Sequence, residues 1–231
     1  MSLKPVKYSE RQKEQSRLQA KMEKRKKDNN IALLPPYMYI ISEGTKTEPY
    51  YIESLAQRIN KKYFDYTSGN RIKILGTGRN TQSLLDYGRK IVEKDFPQAE
   101  EVWLMYDKDD FPLDNFDNTQ FEAEARKKPQ MAVAWSNESI ELWFLLYFED
   151  YRSDNGRKQY IEKLNKYFDY SKKREDLYDI LNSLGSQEEA KRRARKMYAE
   201  FVDADVASMS AMVPATRVFE LVEELESYLG K

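Results

Sequence analysis

The sequence predicts an α/β protein: a mostly parallel sheet of about four strands flanked by helices, followed by an all-helical C-terminal part. Three observations carry this expectation. Four short apolar, β-rich runs occur at residues 37–41, 72–75, 101–106 and 131–135. Each is followed by a stretch with apolar residues at helical spacing, the alternation of a layered parallel sheet. After residue 150 every apolar pattern has a helical period. A chain of 231 residues has room for one substantial core. The expected division is a basic arm at 1–30, helical or disordered, an α/β core at 31–150 and a helical region at 151–231 packed on that core.

The elements follow in order. Residues 4–29 are compatible with helix but have almost no apolar face. Pro35-Pro36 closes that segment. The first strand, 37–41, is bounded by proline before it and by Gly44 after it, which allows a tight turn. Thr47 is the expected N-cap of the next helix, with Pro49 tolerated in its first turn. That helix carries Tyr51, Leu55 and Ile59. The second strand runs into Gly76-Thr77-Gly78-Arg79-Asn80-Thr81 and a helix with Leu84, Leu85, Ile91 and Val92. The third strand ends in Asp107-Lys108-Asp109-Asp110, and a helix is expected at 115–127. The fourth strand leads into a helix opening at Ser136-Asn137-Glu138 and continuing to Phe148, apolar nearly all round and therefore central. Glu141 lies within it, either at its rim or aimed into a site. Four helices are expected beyond residue 150.

Composition narrows the chemistry. The chain has no histidine and no cysteine. That excludes Ser-His-Asp and Cys-His triads, histidine zinc sites and a disulfide framework. Oxygen ligands favour Mg²⁺, Mn²⁺ or Ca²⁺ over zinc. No apolar run reaches the roughly 20 residues of a membrane span, and a cytoplasmic location is expected. Net charge is zero but uneven: residues 1–30 hold ten basic and four acidic side chains. Such an arm on an acidic body is either a nucleic-acid contact or a helix folded back on that body.

The candidate site joins the carboxylates at two strand ends. In an open parallel sheet, ligands sit beyond the carboxyl ends of the strands. Glu43 follows the first strand; Asp107 and Asp109 follow the third. If extended there, the two aspartates point the same way, roughly 7 Å apart at Cα. Such carboxylates share a hydrated cation, which polarises a phosphoryl oxygen and stabilises a leaving oxygen. Glu43 would bind metal or act as general acid or base, and Lys46 would offset phosphate charge. The bland reading is two polar turns. Thr77, Gly78, Arg79 and Asn80 form a phosphate cradle or a loop with glycine for sterics alone. Arg192, Arg193 and Lys196 form a solvated helix face or a nucleic-acid contact. Asp110, Asp114 and Asp117 read as solvated loop residues, and Trp103, Trp135 and Trp143 as core.

Four linked motifs resemble the RloB family. They are Glu43-Gly44-x-x-Thr47-Glu48, Gly76-Thr77-Gly78-x-Asn80-Thr81, Trp103-x-x-x-Asp107-x-Asp109-x-Phe111 and Ser136-Asn137-x-x-x-Glu141-x-Trp143. The match runs from about residue 38 to 148, with an echo from Pro214. The resemblance implies a Toprim-like nuclease fold encoded in bacterial restriction and phage-defence loci, beside an ABC-type ATPase partner. It implies that Glu43, Asp107 and Asp109 bind Mg²⁺ or Mn²⁺, with Glu48, Asn137 and Glu141 as site support. Glu138 departs from the pattern, where relatives carry proline. The expected function is thus Mg²⁺-dependent cleavage of DNA or RNA. Rival readings are a non-catalytic module that docks nucleic acid or an ATPase, and a nucleotidyl transferase. A receiver-type phosphoacceptor is disfavoured by the helices after the fourth strand.

Overall fold

The computed structural model describes residues 34–67, 69–109, 113–126 and 128–230. The expected basic arm at 1–30, Asp110 and Phe111 lie outside the described residues, as does the side chain of Asp114.

The core is one five-stranded sheet. Strands β1 (Met38–Ser42), β2 (Ile72–Gly76), β3 (Glu101–Asp107), β4 (Gln130–Asn137) and β5 (Ala215–Thr216) lie in the order β2-β1-β3-β4-β5. The first four are parallel, and β5 runs antiparallel to β4. The sheet is therefore α/β and mostly parallel, as expected, with one more strand than expected. The two residues of β5 are too few for a period-2 pattern to declare itself.

Burial explains the strand order. All five residues of β1 are buried, as befits a strand flanked on both edges and covered on both faces. Along the strands, alternate residues feed two separate cores. Met38, Ile40, Trp103 and Met105 face one; Tyr39, Ile41, Val102, Leu104 and Trp135 face the other. The three tryptophans are core residues, as expected.

Helices cover both faces. Helix α1 (Thr47–Lys62) lies on the first face through Tyr51, Ile52, Leu55 and Ile59. Helices α2 (Thr81–Lys94) and α3 (Leu113–Glu124) lie on the second, through Leu84, Leu85, Phe116 and Ala123. Asn80 caps α2 by accepting the Ser83 N–H at 3.1 Å. Helix α4 is only Glu141–Leu145, completely buried. The longer helix expected from residue 136 does not form, because Ser136 and Asn137 stay in the sheet and pair with Thr216 and Ala215. Tight turns then carry the chain to Phe148, whose N–H donates to Leu145 O at 3.0 Å.

The remaining helices are α5 (Gly156–Leu164), α6 (Leu177–Leu184), α7 (Gln187–Asp203) and α8 (Val218–Leu229). They share the first core: Tyr160, Leu181, Ala194 and Val222 belong to the same buried cluster as Ile40 and Ile52. No helix among the described residues is long and apolar enough to cross a membrane.

Candidate active site: a carboxylate cluster at the switch point of the sheet

The strand order reverses between β1 and β3, since β2 lies to one side of β1 and β4 to the other side of β3. At such a switch point the two connecting helices diverge and leave a crevice beyond the strand ends. Glu43 directly follows β1, and its N–H donates to Met105 O of β3 at 2.8 Å. Asp107 ends β3. The crevice thus receives both acidic stretches.

Asp109 reaches the same place by another route. The chain is not extended beyond Asp107: Asp109 has a φ of 41°, in the left-handed region that Asp tolerates better than most residues. The expected same-side geometry of an extended Asp-x-Asp is therefore replaced by a turn. Asp107 is 7% exposed, whereas the Asp109 side chain is 29% exposed.

The centre of the cluster is a cation from the helical half. Arg157, in the first turn of α5, contacts Asp107 Oδ2 at 3.0 Å through Nη2 and pairs with Asp109 through the same nitrogen. Its Nε lies 3.6 Å from Glu141 Oε2. Glu141, 1% exposed, also accepts the Tyr170 hydroxyl at 2.9 Å, and Lys172 Nζ stands 3.6 Å away. Glu48 is buried in the first turn of α1 and folds over Gly44, where a Cβ would clash with its carboxylate. A side chain at position 44 would thus displace the Glu48 carboxylate.

Five carboxylates (Glu43, Glu48, Asp107, Asp109 and Glu141) meet two cations, Arg157 and Lys172. Burial and mutual repulsion dominate the titration of three of them. Glu43 is pushed up to about 7, first by burial and then by Asp109, against a backbone hydrogen bond from Asp107. Burial and then Glu141 raise Glu48 despite a backbone hydrogen bond. Asp107 is raised well above the usual range by burial, Glu48 and Glu141, with Arg157 opposing. Burial works against the charge of Arg157, but Asp107, Glu141 and Asp109 together outweigh it and hold the guanidinium protonated.

The donors suit a hard cation in kind. They are carboxylate oxygens in excess of positive charge, and Glu43 Oε2 and Glu141 Oε2 are buried without a hydrogen bond. In position, the cluster is closed around Arg157: among the described residues no three Asp or Glu stand together as a ready metal-ligand set.

The other expected site residues divide. Lys46 is exposed at the start of α1. Thr47 is not the N-cap; it is the first helical residue, and its hydroxyl donates to Lys172 O at 3.1 Å, tying α1 to the loop before α6. The 76–80 loop adjoins the crevice, and Gly78 N–H donates to Glu43 O at 2.8 Å. Its polar groups serve the fold: Thr77 Oγ1 bonds Ser42 O and accepts from Arg79 N–H, and Asn80 caps α2. Arg79 lies over the Tyr87 ring at 4.3 Å. Asn137 donates to Met209 O and Ser210 O, pinning the 3₁₀ turn Met209–Ala211. Glu138 accepts the Arg157 N–H at 3.2 Å and so caps α5.

One further reading changes. Asp117 is not a solvated loop residue but sits in α3, accepting both the N–H and the hydroxyl of Ser210 at 2.8 Å. On α7, Arg192 pairs with Glu189, and Arg193 donates to Leu146 O at 2.7 Å. Lys196 is exposed, 3.9 Å from Glu200. The basic face of α7 is thus largely matched by acidic neighbours. Arg157, Tyr170 and Lys172 were not anticipated from sequence. No local signal sets them apart: Arg157 opens an ordinary charged helix, and Tyr170 and Lys172 lie in the loop that follows it.

A family model described as RloB-like protein matches residues 38–225, from β1 into α8. No curated protein and no solved structure matches the chain.

Proposed function

The chain belongs to the RloB-like protein family, and from that premise we propose that it is a Toprim-type, Mg²⁺- or Mn²⁺-dependent phosphodiesterase that cleaves DNA or RNA. The observation that carries the reading is the convergence of five carboxylates from separate elements on one crevice, at the point where the strand order reverses. With no histidine in the chain, hydrolytic chemistry falls to these oxygens.

Glu43, Asp107 and Asp109 are the residues that would hold the cation. When bound, it would polarise a phosphoryl oxygen and offset charge on the leaving oxygen. The protein's own groups supply the rest. Glu43, pushed up to about 7, exchanges a proton near neutral pH and is suited to act as general base or acid. Lys46 and Lys172, both exposed, would meet the negative charge of a phosphodiester. Tyr170 and Lys172 hold Glu141 in place. By its family resemblance the nuclease would act with an ABC-type ATPase partner that gates it, and the basic arm would contact nucleic acid or that partner.

The test is cleavage of DNA and RNA substrates with and without Mg²⁺, in the presence and absence of such a partner. Glu43→Gln and Asp107→Asn should each lower the rate by at least about 10²-fold. Metal-dependent cleavage that survives both substitutions would overturn the reading.

One observation favours a second reading, a non-catalytic nucleic-acid or ATPase-binding module. Arg157 already neutralises Asp107 and Asp109, as a structural ion-pair network would. Magnesium-independent binding with a steep salt dependence, and no cleavage under any condition, would support it.

A further inference from the structure

We infer that Arg157 and a divalent cation are alternative occupants of the cradle between Asp107 and Asp109, so that cation binding displaces the guanidinium. The inference rests on the proposed metal-dependent site and adds a residue to it that competes for its ligands.

Three features of the geometry support it. A single nitrogen, Nη2, meets both aspartates, 3.0 Å from Asp107 Oδ2 and in close contact with Asp109 Oδ1. A cation held by these two carboxylates would compete for the same position, and two like charges a few ångströms apart in a partly buried crevice repel strongly. Arg157 also has a path to solvent, although leaving would break its ion pairs with Asp107, Asp109 and Glu141. Its side chain is 30% exposed, and its Nε makes no hydrogen bond. The start of α5 does not depend on the guanidinium, because Glu138 Oε2 accepts the Arg157 backbone N–H independently. Finally, the cradle keeps oxygens in reserve. Glu43 Oε2 and Glu141 Oε2 are buried without a hydrogen bond, while Tyr170 and Lys172 still serve Glu141 once Arg157 has gone.

The experiment is a Mn²⁺ titration of the full chain, followed by calorimetry and by the loss of the free-ion paramagnetic signal. Wild type, Arg157→Gln and Asp107→Asn are compared. Arg157→Gln should bind at least about tenfold more tightly than wild type. Unchanged or weaker affinity in Arg157→Gln, with wild-type binding that Asp107→Asn abolishes, would overturn the competition and leave the metal site standing. No binding in wild type or Arg157→Gln would overturn both. Should Arg157→Gln fail to fold, the Nε–H resonance of Arg157 in wild type, assigned by its absence from Arg157→Lys, carries the same test. Saturation with Mg²⁺ should move it toward the position of a solvated arginine. A resonance unmoved at saturation would overturn the inference.

Discussion

At Glu43, burial and the Asp109 carboxylate outweigh the Arg157 guanidinium, and the carboxyl is pushed from 4.5 up to about 7. The sign of the consequence follows from linkage. Between those two values the folded chain binds more protons than the unfolded one, so stability falls as pH rises through the window. Glu48 and Asp107, also raised, act in the same direction. Without added metal, the protein should therefore lose stability between pH 5 and pH 8. Glu43 alone contributes on the order of 2 kcal/mol after allowance for its partial exposure. Thermal melts across that range should show a falling Tm, with a shallower fall in Glu43→Gln; a flat profile would contradict the assignment. Tyr170 offers a second test. Its hydroxyl is the hydrogen-bond donor to buried Glu141, so Tyr170→Phe should cost about 1–3 kcal/mol in chemical denaturation. No loss would mean that Lys172 and Arg157 satisfy the carboxylate without it.

The turn from β1 into α1 shows how far elements were legible in the sequence. The strand and its acidic exit were readable, because a short apolar run ending in Glu43-Gly44 has few other interpretations. The capping was not, since the Thr47 hydroxyl is drawn to a carbonyl 125 residues away. Nor was the turn at Asp109, because a left-handed φ leaves no periodic trace. Helix α4 was overestimated because Ser136 and Asn137 pair with β5, a partner distant in sequence. Gly76 ends β2 against this turn, where a Cβ would lie 2.6 Å from Gly44 O and 2.7 Å from Thr45 Cα. Both obstacles are backbone. Gly76→Ala should therefore destabilise by about 1–3 kcal/mol. Gly44→Ala meets instead a movable side chain, the Glu48 carboxylate; it should impair cleavage more than stability. Equal losses in both variants, measured by melts and by rate, would contradict that distinction.

Over the whole molecule, the α/β half supplies the acids and the helical half supplies the cations. Arg157, Tyr170 and Lys172 reach the crevice from α5 and the loop before α6. No local pattern marks them, since their role depends on how the two halves pack. That packing is continuous: Ile40 and Ile52 share one buried cluster with Leu181 and Val222. The two halves should unfold in a single transition, coincident by far-ultraviolet dichroism and tryptophan fluorescence. A separate earlier transition of the helices would contradict a common core. The central claim, a cation site built on strand-end carboxylates, is tested most directly by calorimetry of Mg²⁺ and Mn²⁺ on wild type and on the Asp107→Ala/Asp109→Ala double variant. The account predicts saturable binding in the wild type that disappears in a folded double variant. Binding of equal strength in both, or none in a folded wild type, would contradict it.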